Sequence, residues 1–157
     1  MSRITLFIAT LVFVAINLTT AYADGGGDGS TGNLNRKSRL APYQKLINDE
    51  KYQQAISKLE QALSESPDHP DLLNLVAYSH RKLNHFEIAL DYYQKALEIK
   101  PGHRGANEYL GELYLHLGQL EQAEERLAVL DKQCFFGCDE FDDLEKAIEE
   151  YRKQNPS

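Results

Sequence analysis

An interval of 34 residues recurs through most of the chain. It separates Ala55, Ala89 and Ala123 from one another, and it also separates Pro67 from Pro101. Three further series keep the same interval: Tyr52, Phe86 and Leu120; Leu59, Tyr93 and Leu127; Ala62, Ala96 and Leu130. A unit of this length accommodates two helices of about 14 residues with short turns. Because no segment alternates apolar and polar residues as a half-buried strand does, the period predicts an all-α stack of antiparallel helix pairs.

Small residues at fixed places in each unit support this interpretation. Ala77 and Gly111 fall in the first helix of their units, where a small side chain lets two helix backbones approach closely. Asn84 and Gly118 fall between paired helices, where a left-handed backbone conformation is expected. The units therefore end their first helices in similar turns.

The repeated residues resemble the tetratricopeptide repeat family, whose first helix carries a large residue, Leu-Gly or Leu-Ala, and Tyr. The second helix of that family carries Ala, an aromatic residue, Ala and finally Pro. Unit two, about 70–103, supplies Leu73, Val76, Ala77, Phe86, Ala89, Tyr93, Ala96, Leu97 and Pro101; unit three, about 104–137, supplies Leu110, Gly111, Tyr114, Gly118, Ala123 and Leu127. The resemblance covers roughly residues 40–133 and implies a right-handed solenoid of about three units.

Both ends of the repeat region depart from the family pattern. Unit one, about 40–69, has Pro42 where the family has leucine, so its first helix is expected to start near Pro42 and to be short. The Gly-, Ser- and Asn-rich stretch 24–39 is expected to be a flexible leader. After unit three, residues 139–152 have an apolar face and an acidic outer face, as a capping helix needs, and complete a domain spanning 40–154. We expect Phe135 and Phe136 to be buried beneath this capping helix.

The first 23 residues have the features of a cleaved signal peptide. Arg3 precedes an apolar run of about 15 residues, which is short for a bilayer span of about 20. The run is followed by Thr19-Thr20-Ala21-Tyr22-Ala23, which predicts cleavage after Ala23. The mature protein is therefore expected to be periplasmic or secreted, with no membrane segment after cleavage. Small exported bacterial tetratricopeptide proteins that end in Cys-x-x-x-Cys are similar in arrangement.

Charge and motifs limit the functions that remain. The full chain has a net charge of −7, and removal of the signal peptide takes away one further positive charge. Nucleic acids and anionic membranes bind dense Lys and Arg, so neither is an expected partner. The chain has no hydrolase elbow, phosphate-binding loop or zinc-protease motif, and its five histidines do not have a metal-ligand spacing. We expect a non-catalytic protein with no cofactor and no metal site.

Cys134 and Cys138 are the two cysteines of the chain. In an oxidising compartment they would form a disulfide, provided that the helix breaks between them. Soft thiolates at this spacing could alternatively form a redox or copper site, and free or intermolecular thiols are a third possibility. The sequence leaves these alternatives open.

The family resemblance implies that a protein or peptide partner binds in the concave groove formed by the first helices of the units. The groove positions are Gln44, Asn74, Tyr78, Arg81, Lys82, Glu108, Glu112 and His116. Our hypothesis is that Arg81 and Lys82 anchor an acidic or carboxylate-bearing segment, and that Glu108 and Glu112 hold a basic one. The alternative is that these four side chains pair across the groove.

One well-known activity of the family is not implied. Its chaperone-tail form clamps a C-terminal carboxylate with Lys, Arg and Asn. The corresponding positions here are Leu40, Gln44, Leu75, Gly105 and Tyr109.

Overall fold

The computed structural model describes residues 30–156 as seven α-helices without a strand. The helices are α1 (Ser30–Asn48), α2 (Tyr52–Glu65), α3 (Pro70–Lys82), α4 (Phe86–Ile99), α5 (Arg104–His116), α6 (Leu120–Gln133) and α7 (Asp139–Gln154). The first six form three consecutive pairs, and α7 packs against both helices of the third pair. The predicted all-α solenoid with a terminal helix is confirmed. The predicted signal peptide, residues 1–23, lies outside the described residues.

The turn within each pair has the same backbone geometry. Asn84 and Gly118 have φ of 61° and 76°, which confirms the predicted left-handed turns. Glu50, which the repeat pattern did not single out, has φ of 56° and occupies the same place in the first pair. In all three turns the left-handed residue and its successor donate backbone hydrogen bonds to the last turn of the preceding helix, as in a Schellman motif. The turns therefore repeat with the 34-residue period of the sequence.

The first helix is longer than predicted. α1 begins at Ser30 and contains Pro42 in its interior, so the expectation of a flexible leader through residue 39 and a helix starting near Pro42 is wrong for 30–39. Proline removes one helical hydrogen bond and disfavours a helix interior. Contacts with the rest of the fold oppose this effect: Arg36 binds Asp71 of α3, and Leu40 packs against the core. The remaining leader residues, 24–29, lie outside the described part of the chain.

The core consists of the repeated small and large residues. The recurring alanines, Ala55, Ala89 and Ala123, are fully buried, as is Tyr93. The small residue Gly111 lies against the capping helix α7. A Cβ added to Gly111 would lie 2.6 Å from the Cδ2 atom of Leu144. The capping helix therefore approaches α5 directly at this glycine.

The junction between α6 and α7 differs in part from the prediction. The helix breaks after Gln133, and the Cys134 and Cys138 sulfurs are joined across the break, with their Cα atoms 5.5 Å apart. Phe135 and Phe136 are 86% and 97% exposed, so the expected burial beneath the capping helix is wrong. α7 instead buries Leu144 and Ile148 against the third pair, in a cluster that does not include the two rings.

Candidate functional site

The eight predicted groove residues all lie on first helices, and two clefts open beside them. Gln44 is on α1; Asn74, Tyr78, Arg81 and Lys82 are on α3; Glu108, Glu112 and His116 are on α5. The N-terminal cleft, of about 490 Å³, lies among α1, α3, α5 and the first turn of α7. The C-terminal cleft, of about 620 Å³, lies among α3, α5 and the last turns of α7. Both volumes are typical of ligand-binding clefts.

Arg81 connects α3 to α5 between the two clefts. Its guanidinium forms an ion pair with Glu112 Oε2 at 2.6 Å and lies 5.3 and 5.5 Å from the ring centres of Tyr78 and Tyr109. These rings are themselves 4.8 Å apart. Arg81 therefore pairs with a carboxylate of the protein itself. This agrees with the alternative in which the charged side chains pair across the groove. Lys82 is exposed and lines both clefts.

A polar network that the sequence pattern did not reveal forms part of the wall of the N-terminal cleft. Nδ1 of His103 accepts a hydrogen bond from the backbone N–H of Ala106 at 3.1 Å, so the neutral ring has its proton on Nε2. Nε2 then donates to Asp71 Oδ1 at 2.9 Å, and Arg36 Nε donates to Asp71 Oδ2 at 2.7 Å. Burial of the Asp71 carboxyl opposes its ionisation, but these two hydrogen bonds outweigh burial and hold its pKa well below its usual range. The network links α1, α3 and the turn before α5.

Glu108 is a buried carboxylate in the same cleft. It is 7% exposed and forms no ion pair of 4 Å or less with any residue that the structure describes. Burial raises its pKa to about 8, assisted by the charges of Glu112, Asp143 and Glu140 and opposed by Arg81. A carboxylate in this setting is costly to ionise without a counter-ion.

Asn74 is a second buried polar group beside the cleft. It is 6% exposed, and its Oδ1 atom has no hydrogen-bond partner within residues 30–156. Its Nδ2 atom lies 3.4 Å from the place where a Cβ of Gly105 would be, one turn before Glu108 on α5. The sequence pattern places both Asn74 and Glu108 on the groove face but gives no sign of their burial.

The C-terminal cleft includes residues that the repeat pattern does not assign to the groove. The rings of Phe86 and His116 are 4.3 Å apart at one side, and Ala147, Tyr151 and Gln154 of α7 form the other. The apolar face of α7 is visible in the sequence, but the pattern predicts a cap alone. The capping helix also lines the groove.

The cysteine pair lies at the α6–α7 junction, outside the residues that line either cleft. Among residues 30–156, no three His, Cys, Asp or Glu side chains lie together in a way that could hold a metal ion. None of the helices in this range is long and apolar enough to cross a membrane.

Stacked helix pairs with successive clefts along their first helices define a helical-repeat protein. Models of the tetratricopeptide repeat family match residues 45–103 and 80–133. The chain therefore belongs to the tetratricopeptide repeat family. No curated protein matches it.

Solved structures of tetratricopeptide repeats share the fold. The Sgt2 domain from Aspergillus fumigatus is 20% identical, with a TM-score of 0.65 over 76% of this chain and 78% of that one. A protein from Parabacteroides merdae is 22% identical, with a TM-score of 0.61 over 71% and 43%. The first repeat domain of Spaghetti (RPAP3), bound to the HSP90 peptide SRMEEVD, is 20% identical, with a TM-score of 0.61 over 78% and 94%.

Proposed function

We propose that this protein is an exported, non-catalytic adaptor that binds a segment of a partner protein along the face formed by α1, α3, α5 and α7. The observation that carries the proposal is the pair of clefts of about 490 and 620 Å³ on this face. They lie on either side of Arg81 and contain all eight residues that the repeat pattern assigns to the groove. An extended or helical segment could follow both clefts. The signal peptide predicted for residues 1–23 supports an exported role, and the cysteine pair is compatible with an oxidising compartment.

The partner is expected to differ from the peptide held by the Spaghetti domain. That domain is bound to a peptide ending in Glu-Glu-Val-Asp. At the positions where the family's carboxylate clamp has basic and amide side chains, this chain has Leu40, Leu75, Gly105 and Tyr109, and Gln44 alone has an amide. An acidic C-terminal tail would find no clamp there.

Site-specific photocrosslinking tests the binding face. Benzoylphenylalanine replaces Gln44 or Lys82, two exposed groove residues, or Lys58, an exposed residue on α2 that lines neither cleft. The full chain is expressed in its native cells and irradiated. We expect one common partner to be crosslinked from both groove positions and absent from the Lys58 variant. Equal crosslinking from Lys58, or crosslinking from Lys58 alone, would refute the proposal.

A further inference from the structure

The N-terminal cleft and its immediate surroundings hold more carboxyl groups than the protein pairs with cations. Glu108 and Glu140 line the cleft, and the charges of Glu140 and of the neighbouring Glu112 and Asp143 all act on the Glu108 carboxyl. Arg81 pairs with Glu112 at 2.6 Å, and Arg104 lies 3.9 Å from Glu140. Within residues 30–156, this leaves the exposed Asp143 and the buried Glu108 without an ion pair. Of these two, Glu108 alone lines the cleft.

Other basic groups near the cleft do not supply the missing charge. Arg36 and His103 line the cleft but bind Asp71. Lys82 is exposed and makes no ion pair of 4 Å or less with any residue of the described part. Of the charged groups that shift the pKa of Glu108, Arg81 carries the positive charge, and it is already paired with Glu112.

An unsatisfied acceptor accompanies the unpaired carboxylate. Asn74 is more than nine-tenths buried on the facing helix α3, and its Oδ1 atom lacks a hydrogen-bond donor within residues 30–156. Buried polar groups in folded proteins are nearly always satisfied, so the unsatisfied Asn74 oxygen needs an explanation. Two acceptors beside one cleft, one of them a carboxylate, match a ligand that brings a positive charge and N–H donors.

We propose that the N-terminal cleft binds a lysine or arginine side chain of the partner segment, with Glu108 as the counter-ion and Asn74 as a second acceptor. This inference rests on the proposed function, because it names the residue type that the groove selects. Tyr78 and Tyr109, which also line the cleft, offer apolar ring surface to the methylene chain of the basic residue. The acidic side of the groove then recognises the partner, whereas Arg81 links α3 to α5 within the protein.

Binding of a basic side chain is then coupled to ionisation of Glu108. At neutral pH a carboxyl group whose pKa is about 8 is mainly protonated, so it must release a proton before it can pair with the cation. The charged groups that act on it are Glu112 from α5, Arg81 from α3, and Glu140 and Asp143 from α7. The other titratable groups that line the same cleft are Tyr109 of α5, Tyr78, Lys82 and Asp71 of α3, Arg36 of α1, and His103. We expect affinity for a basic partner segment to fall by up to about tenfold for each pH unit below 8.

A peptide library tests the inference with the full mature chain. Each pool holds one residue type at one position of an otherwise random peptide, and binding is compared at about pH 8.5. We expect Lys or Arg to be enriched at one position with the wild-type protein and with Glu145→Gln, an exposed control on α7. The enrichment should disappear with Glu108→Gln. In the best peptide, replacing the basic residue by norleucine should weaken binding about tenfold or more and abolish its pH dependence.

The possible results separate the inference from the proposed function. Peptides selected without a basic preference would overturn the inference and leave the groove as a binding site. A basic preference that persists in Glu108→Gln would also overturn it. If no peptide pool binds, the proposed function fails, and the inference fails with it.

Discussion

Replacing Glu108 by glutamine should make the protein more stable at neutral and alkaline pH. The wild-type side chain is a buried carboxyl whose pKa is raised to about 8, from an ordinary value of 4.5. A group whose pKa is higher in the folded state favours folding below its unfolded pKa, and this advantage is lost as the pH rises through the folded pKa. Wild-type stability should therefore decline between about pH 4.5 and pH 8 through this group, whereas glutamine does not titrate.

The magnitude follows from the size of the pKa change. Each pKa unit corresponds to about 1.4 kcal/mol, so the full change gives about 5 kcal/mol between the two ends of the range. Water in the open cleft screens the carboxylate from its neighbours and solvates it in part. We therefore expect Glu108→Gln to be more stable than the wild type by about 2 kcal/mol at about pH 8.5. At about pH 4.5 the two proteins should be nearly equal.

Urea unfolding followed by circular dichroism measures this difference. The comparison is between wild type, Glu108→Gln and the exposed control Glu145→Gln at several pH values. The free energy of unfolding of the control should stay within about 0.5 kcal/mol of the wild-type value at every pH. In thermal scans the gain of Glu108→Gln at high pH should be roughly 8 °C, at about 4 °C per kcal/mol for a domain of this size. If the free energies of unfolding of the wild type and Glu108→Gln differ by the same amount from acid to alkaline pH, Glu108 is not a desolvated carboxyl.

Three further outcomes are expected. Glu50→Gly should stabilise the protein by about 1 kcal/mol in urea unfolding, because it relieves a left-handed residue with a side chain; a loss of stability would contradict the turn geometry. Asp71→Asn should destabilise it by about 2 kcal/mol at neutral pH, and the difference should shrink as the pH falls below about 4, because the pKa of Asp71 is lowered in the folded state; a difference that persists in acid would refute the ionic contribution. Mass spectrometry of the protein isolated from its native cells should show the loss of two hydrogens between Cys134 and Cys138; two freely alkylated thiols, with copper binding by the protein, would instead support the thiol-redox or copper-handling alternative.

The 34-residue period of the sequence by itself determined the fold. A repeat stack is built from contacts within a unit and between neighbouring units, and those contacts recur with the period. Ala55, Ala89 and Ala123 could therefore be assigned to the core, and Asn84 and Gly118 to left-handed turns, from spacing alone. The same register placed the groove residues on first helices, because helix faces follow from position within the unit.

The tertiary structure decided everything that depends on contacts outside the repeat pattern. The start of α1 depends on Arg36 meeting Asp71 of another unit, and the exposure of Phe135 and Phe136 depends on how α7 packs against α5. The sequence also could not show which groove charges are paired and which are buried. Arg81 and Glu108 occupy similar positions on the polar faces of their helices. Arg81 meets a carboxylate and two tyrosines across the groove, whereas Glu108 is buried among other acids. Charge pairing and desolvation are set by the distances between side chains of different helices, and those distances exist only once the helices have packed.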